Sequence, residues 1–301
     1  YDRSDSVEEK KLRFSNASWL NVPKVIVSDQ KKANDEALIH LNAGADGIWF
    51  EVLQAVEPNK FLNKIELSAC SLFFSSKDEM QLNLVADFIE SKSINEKITG
   101  AFFLGENKNI INRKTWRNFH TQGIIVNKNE DVVDEIVDSL LTTVDRVERL
   151  MKEKFSADEA FRSIAFSISV NADFFLSIAK IRALKNLWIT LQEAYEIRNP
   201  IPAFIHGHSQ PWIKENFQPH GSMLKQTTAG MACAMSGCNA ITVEPESFDN
   251  KMMSRIARNT VLMLREESHL AKVNDPLAGS FYVDALTHQI AGEAWKRFQQ
   301  R

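Results

Sequence analysis

Gly47-Ile48-Trp49-Phe50-Glu51-Val52, entered through Asn42-Ala43-Gly44-Ala45-Asp46, is the stretch that decides the fold. A nearly continuous apolar run of this length reads as a strand covered on both faces. The Gly ahead of it sits where a helix-to-strand turn calls for positive φ. The unit is therefore a helix, a tight turn and a buried strand. Working outward, the same unit recurs. Upstream lies Lys24–Ser28; downstream lie Ile65–Phe74, Ile98–Leu104, Gly123–Val126, Ile164–Val170, Ala203–His206 and Ala240–Val243. Short apolar runs alternating with helical patterns are the signature of a parallel sheet with covering helices. Eight runs are the number that closes a (β/α)8 barrel.

The helical stretches carry apolar residues at i, i+3 and i+4 spacing. Val133, Ile136, Val137, Leu140, Val144, Val147 and Met151 form one stripe, with Asp131, Asp134, Asp138, Asp145 and Glu148 on the remaining, solvated side. Phe174, Ile178, Ile181, Leu184, Trp188 and Leu191 form a second, and Met252, Met253, Ile256, Thr260 and Leu264 a third. The spacing predicts an α/β protein with a (β/α)8 TIM barrel over residues 23–270. An N-terminal arm over 1–22 precedes it and a C-terminal helical extension over 271–301 follows. A barrel of this type uses about 250 residues in one piece. Tyr1 is not an initiator residue, so further residues are expected upstream.

Composition removes several function classes. Hydrophobic residues make up 44% and charged residues 25%, as in a well-cored globular protein. The net charge of −3 offers no broad basic surface, which argues against nucleic acid or an anionic membrane as the main partner. No apolar run approaches the ~20 residues a membrane span needs, and no signal peptide opens the sequence. The three cysteines, Cys70, Cys233 and Cys238, are too few and odd in number for a disulfide framework. They suit a reducing, cytoplasmic setting. Cys233 and Cys238 fall in an apolar helical pattern and read as buried small hydrophobes.

In this fold the chemistry sits at the C-terminal ends of the strands. That rule selects Ser28, Asp29, Gln54, Glu57, Glu106, Asn107, Asn127, Lys128, Asn171, Asp173, Glu244 and Glu246. The densest polar end is Ile205-His206-Gly207-His208-Ser209-Gln210. In an extended chain His206 and His208 point the same way. Three roles are open to them: a metal pair lacking an evident third ligand, a proton or hydrogen-bond donor to an organic carbonyl, or a structural cap on the strand ends. No glycine-rich dinucleotide loop, phosphate loop or nucleophile elbow is present. Glu266-Glu267 lies at a helix end and reads as solvated.

Several motifs in the second half resemble one family. Phe174-Phe175-Leu176-Ser177-Ile178-Ala179-Lys180-Ile181-Arg182-Ala183-Leu184-Lys185-Asn186-Leu187-Trp188 is similar to the pattern F-F-x-x-(I/V)-A-K-(L/I)-R-A-x-x-x-L-W of methylmalonyl-CoA mutases. His208-Ser209-Gln210 resembles the family's H-S-Q, and Ser254–Thr260 its (S/A)-R-I-A-R-N-T. Glu266-Glu267-Ser268 and Asp275–Val283 are similar to its Q-E-S and D-P-x-x-G-S-x-Y-V. The resemblance implies a substrate barrel of an adenosylcobalamin-dependent isomerase interconverting succinyl-CoA and methylmalonyl-CoA. There the cofactor supplies an adenosyl radical, and the protein shields radicals and polarises the thioester.

The departures from the family carry equal weight. Where catalytic members have Tyr-His after the fifth-strand Gly, Gly123 is followed by Ile124 and Ile125. The substrate-contacting Gln of the fourth strand falls at Phe103, and the Arg and Thr ahead of H-S-Q are His206 and Gly207. The second strand continues as Val52-Leu53-Gln54-Ala55 in place of P-T-H-R-G. None of the seven histidines has Asp two positions before it, as the cobalt-ligating D-x-H-x-x-G requires. Trp49, Phe50, Phe73, Phe74, Phe102 and Phe103 are bulky enough to fill the axis along which catalytic barrels of the family thread CoA.

The resemblance, with these losses, implies a small non-catalytic subunit beside a larger catalytic mutase subunit. Acyl-CoA and adenosylcobalamin then belong to the complex, with no cofactor bound by this chain alone. It implies no catalytic residue and no metal here. His206, His208 and Gln210 become remnants of a substrate-binding strand end, and Arg182 and Arg255 become structural. The C-terminal extension would lead toward a cobalamin-type domain. The alternative is an active acyl-CoA mutase barrel completed by a separate cobalamin-binding chain. An unrelated barrel lyase or aldolase using His206 and His208 is a third reading.

Overall fold

The structure is a computed structural model that describes residues 18–94, 96–105, 116–171, 173–210 and 221–301. Its strands are β1 (Leu20–Asn21), β2 (Lys24–Val27), β3 (Gly47–Val52), β4 (Ser71–Ser76), β5 (Thr99–Leu104), β6 (Phe119–Val126), β7 (Ile164–Val170), β8 (Ile205–Ser209) and β9 (Ala240–Thr242). Its helices are α1 (Gln30–Asn42), α2 (Pro58–Phe61), α3 (Glu79–Ser91), α4 (Val132–Lys152), α5 (Ala157–Ser163), α6 (Phe174–Ala194), α7 (Gly221–Met235), α8 (Lys251–Glu266) and α9 (Phe281–Phe298). The nine strands make one sheet in the order β1-β9-β8-β7-β6-β5-β4-β3-β2. Only Val22 and Pro23 separate β1 from β2. The two ends of the strand order are thus pieces of one extended segment, and eight strands follow one another as in a TIM barrel. The pairings β2–β3, β3–β4, β4–β5, β5–β6 and β8–β9 are all parallel. The α/β barrel-type fold expected from the alternation is the fold observed.

Local chemistry sets the helix starts. Asp29, Asp78, Asp173 and Asn250 each accept a backbone N–H from the first turn of α1, α3, α6 and α8. Ser156 and Glu159 form a reciprocal capping box on α5. Three expectations shift. The third strand starts at Ser71, because Glu66 to Ala69 close a turn in which Ala69 N–H donates to Glu66 O. The seventh runs on from Ile205 to Ser209 and so includes both histidines. On α8 the buried side is Ser254, Ala257, Arg258, Thr260, Val261 and Leu264, while Met252 is exposed. Arg258 replaces an apolar residue on that side by turning its guanidinium to Asn259 Oδ1.

The chain divides into two compact units. The first comprises Leu20–Ile125 and Thr143–Ser167. Its sheet packs one face on α1, α2 and α3, with Val25, Ile48, Phe50, Leu72, Phe74 and Phe102 against Ala33, Ala37, Phe61, Leu82, Val85 and Ile89. Phe61 meets both Phe50 and Phe74 edge-on, at 5.2 and 6.5 Å between ring centres. Period-two alternation sends Trp49, Phe73 and Phe103 to the opposite face. The second unit comprises Tyr1–Trp19, Val126–Thr142 and Ile168–Arg301. In it α9 packs on α6, and α7 packs on both α6 and α8. Arg182 of α6, itself buried, bonds Asp275 at 2.9 Å and Asp284 of α9 at 3.5 Å.

Candidate functional site

In the first unit the face opposite the helices is occupied by large side chains. The register aligns Lys24, Trp49, Phe73 and Ala101 in one row and Glu51, Ser75, Phe103 and Gly123 in the next. Trp49 Nε1 donates to Ser75 Oγ at 2.9 Å. Lys24 Nζ lies 4.6 Å from the Trp49 ring centre and 3.1 Å from Glu51. Phe73 and Phe103 stack with ring planes 9° apart, and neither is exposed to solvent. A Cβ at Gly123 would meet the Phe103 ring at 2.7 Å, so the ring takes the space that a side chain there would fill. Of the six aromatics in these strands, some of which alternation must send outward, Phe50, Phe74 and Phe102 face the helices and Trp49, Phe73 and Phe103 fill this face.

The carbonyls at the end of β5 and in the middle of β6 are taken up as well. Arg146 of α4, buried, donates to Gln122 O, Gly123 O, Leu104 O and Gly105 O at 3.0, 2.9, 3.2 and 3.1 Å. Burial holds its guanidinium down to about 10. In a barrel the C-terminal strand ends are where chemistry sits; at the end of β5 a cation of the chain itself already engages the carbonyls.

The second unit is polar at its strand ends. His206 and His208 do share a face, with ring centres 5.7 Å apart and planes 28° apart. His206 is fully buried and its Nε2 is 2.8 Å from Thr242 Oγ1 on β9. The half-buried His208 places Nδ1 3.3 Å from Ser209 O. Gln210 accepts from Lys128 Nζ at 3.2 Å, contacts Ser169 Oγ at 3.5 Å, and offers its carbonyl to Gln226 Nε2 at 2.9 Å. Ser209 Oγ accepts the backbone N–H of the buried Glu244 at 2.8 Å. The strand-seven residues, together with Lys128 and Glu244, are thus brought into one network.

The other strand-end candidates do local work. Asp29 and Asp173 cap helices, and Asn171 Oδ1 accepts from Asp173 N and Ser177 Oγ. Gln54 donates to Ser28 O, and Glu57 pairs with Lys60. Asn127 and Glu246 are exposed. Glu106 and Asn107 lie outside the described residues. Arg182 holds the acidic pair described above, whereas Arg255 is exposed on α8. Among the described residues no group of three His, Cys, Asp or Glu side chains could hold a metal ion, and no helix is long and apolar enough to cross a membrane.

Sequence reasoning missed a buried ion pair in this unit. Lys180 of α6 bonds Glu135 of α4 at 2.7 Å and Ser169 O at 2.9 Å, and both side chains are almost wholly buried. Glu135 also accepts from Asn129 N at 3.1 Å. One signal was available: Lys180 falls on the apolar side of its helix, beside Ser177, Ile181 and Leu184, where a lone cation needs a partner.

An α/β chain of barrel strand order, with a packed aromatic face in one unit and an H-S-Q strand end in the other, is the class that fold and site define. The family model described as methylmalonyl-CoA mutase matches residues 116–300, and the chain belongs to that family. A methylmalonyl-CoA mutase small subunit from Porphyromonas gingivalis is 29% identical over 93% of this chain and 52% of its own length. Small subunits from Streptomyces virginiae and Propionibacterium freudenreichii are 36% and 32% identical over 55% and 56% of this chain, and 28% and 27% of their own. The chain therefore spans about half the length, or less, of the curated relatives it matches.

Proposed function

We propose that this chain is barrel sequence of the small, non-catalytic subunit of a heterodimeric, adenosylcobalamin-dependent methylmalonyl-CoA mutase, working in the cytoplasm beside a larger catalytic subunit. The observation that carries the reading is the stacked Phe73–Phe103 pair over Gly123, set in the position where catalytic relatives need polar groups and an open path for CoA. The small-subunit names of the relatives support the same reading.

These residues do not supply the family's cobalt ligand. No histidine carries Asp two positions before it. The cofactor and the acyl-CoA are accordingly assigned to the complex. His206, His208 and Gln210 serve as remnants of a substrate strand end, held by Thr242, Lys128 and Ser169. Arg182 serves as a structural clamp; Arg255, exposed, is open to contact with another chain. The segment after residue 271 leads toward the cobalamin-type domain of the longer relatives.

The test is reconstitution with the full-length protein. It is expected to co-elute at equal stoichiometry with a mutase subunit carrying D-x-H-x-x-G, and to show no turnover of succinyl-CoA on its own with adenosylcobalamin supplied. Turnover by the isolated protein, or tight binding of a CoA thioester to it, would instead favour an active barrel completed by a separate cobalamin chain.

A further inference from the structure

The stretch Cys233-Ala234-Met235-Ser236-Gly237-Cys238 ends α7 in a specific way. Gly237 takes φ 76°, Cys238 N–H donates to Cys233 O at 3.1 Å, and Gly237 N–H donates to Ala234 O at 3.1 Å. These are the two bonds of a Schellman motif, which brings the side chains of its first and last residues into contact. Both of those residues are cysteines. Both are fully buried. A Cβ at Gly207 would meet Cys233 Sγ at 2.6 Å and Cys238 Sγ at 2.8 Å, so both sulfurs lie under the middle of β8.

A cation and a hydroxyl complete the cluster. Lys185 of α6 is buried and donates to Ser236 O at 3.2 Å and Gly237 O at 2.5 Å. Ser236 Oγ lies 3.7 Å from Cys238 Sγ. Burial alone would push the Cys238 thiol up; the Cys233 S–H, the Lys185 ammonium and the Ser236 hydroxyl outweigh it and hold the thiol below its ordinary value. Its partner goes the other way: Cys233, as donor to Cys238 and buried, is raised. A thiol that gives up its proton more readily beside one that holds it is the division of labour of an attacking and a resolving thiol.

We propose that Cys233 and Cys238 are a redox-active dithiol that closes to an intrachain disulfide when a peroxide reaches it. The Cys238 thiolate attacks one peroxide oxygen; the O–O bond breaks, hydroxide leaves, and Cys238 becomes a sulfenic acid. Cys233 sulfur then displaces that hydroxyl, its proton leaving as water. Two thiols and one hydrogen peroxide thus give one disulfide and two waters, the sulfur pair losing the two electrons that the peroxide gains. Closing the bond brings the sulfurs to about 2.05 Å and draws volume from beneath Gly207, between the two histidines of β8. The buried small hydrophobes expected from sequence are buried, and the contact between them adds chemistry to that role.

The experiment treats the folded full-length protein with hydrogen peroxide, then denatures, alkylates and weighs its peptides. The peptide holding Cys233 and Cys238 is expected about 2 Da lighter and unalkylated, and to take two alkyl groups after dithiothreitol. Cys233→Ala is expected to abolish the bridge and leave Cys238 as a single oxidised sulfur. Because that variant removes an atom from the core, Cys70→Ala serves as a second arm, in which the bridge is expected unchanged. Full alkylation of both residues after peroxide, single-site oxidation without a bridge, or loss of the bridge in Cys70→Ala would each overturn the proposal.

Discussion

The two units place different chemistry on strands of the same kind. In the first, the face turned from the helices holds Trp49, Phe73 and Phe103, and Arg146 occupies carbonyls at the end of β5 and in the middle of β6. In the second, β8 and β9 hold His206, His208 and Thr242, and Gln210 just after β8 is linked to Lys128 and Ser169. A parallel sheet tolerates either solution: aromatic burial is stable without partners, whereas buried polar groups are stable only when each is paired. The difference teaches that one scaffold can carry paired polar groups on its strands in one unit and close-packed aromatic core in the other.

The contrast can be broken from either side. Phe103→Ala should cost the most, about 3–5 kcal/mol, because the first unit's face depends on volume; urea unfolding measures it, and a loss below 1 kcal/mol would mean the face is not close-packed. Glu135→Ala should cost nearly as much, about 3–5 kcal/mol, by leaving the Lys180 ammonium buried and alone. Replacing both residues by methionine should recover most of that loss, and a failure to recover would show that the pair has a further role. These two variants should act independently in a double-mutant cycle, being in separate networks.

A pH series sharpens the account of the second unit. Burial holds the Lys185 amine down to about 8, against about 10.4 in an unfolded chain. Below pH 8 both states carry the proton, and the fold bears the full cost of a buried ammonium. Above about 10.4 neither does. Stability should therefore climb between those two values by on the order of 3 kcal/mol relative to Lys185→Met. Parallel stability curves for the two proteins would refute it. The smallest effect expected is at a helix start: Asn250→Ala removes the α8 cap and should lower stability by about 1 kcal/mol, read as a small fall in the urea midpoint with an unchanged slope.

Much of the fold was legible because buried parallel strands are continuous apolar runs. Gly47–Val52 and Ile164–Val170 match the observed strands residue for residue. The third strand was misplaced because Ile65 and Leu67 are apolar for a different reason: they are buried in the turn ahead of β4. At the site, period-two alternation was enough to put His206 and His208 on one face. It could not show that Thr242 meets His206, or that Glu135 meets Lys180 across 45 positions of chain. Pairings of that span depend on register and helix rotation, which a single sequence does not encode locally. Arg146 was hidden for another reason: its partners are backbone carbonyls, and these carry no side-chain signature.

Arg182 also bears on where this polypeptide can be divided. A barrel ending at residue 270 is a natural place to cut by strand count, yet the guanidinium buried in α6 finds its carboxylates at Asp275 and Asp284, beyond that point. A gene truncated there would lose both carboxylates and strip α9 from the face of α6 it covers, leaving that face and the Arg182 guanidinium without their partners. Such a product belongs with inclusion bodies and rapid degradation. The segment holding Asp275 and the helix after it are in that sense part of the packing of α6, supplied from beyond the last strand.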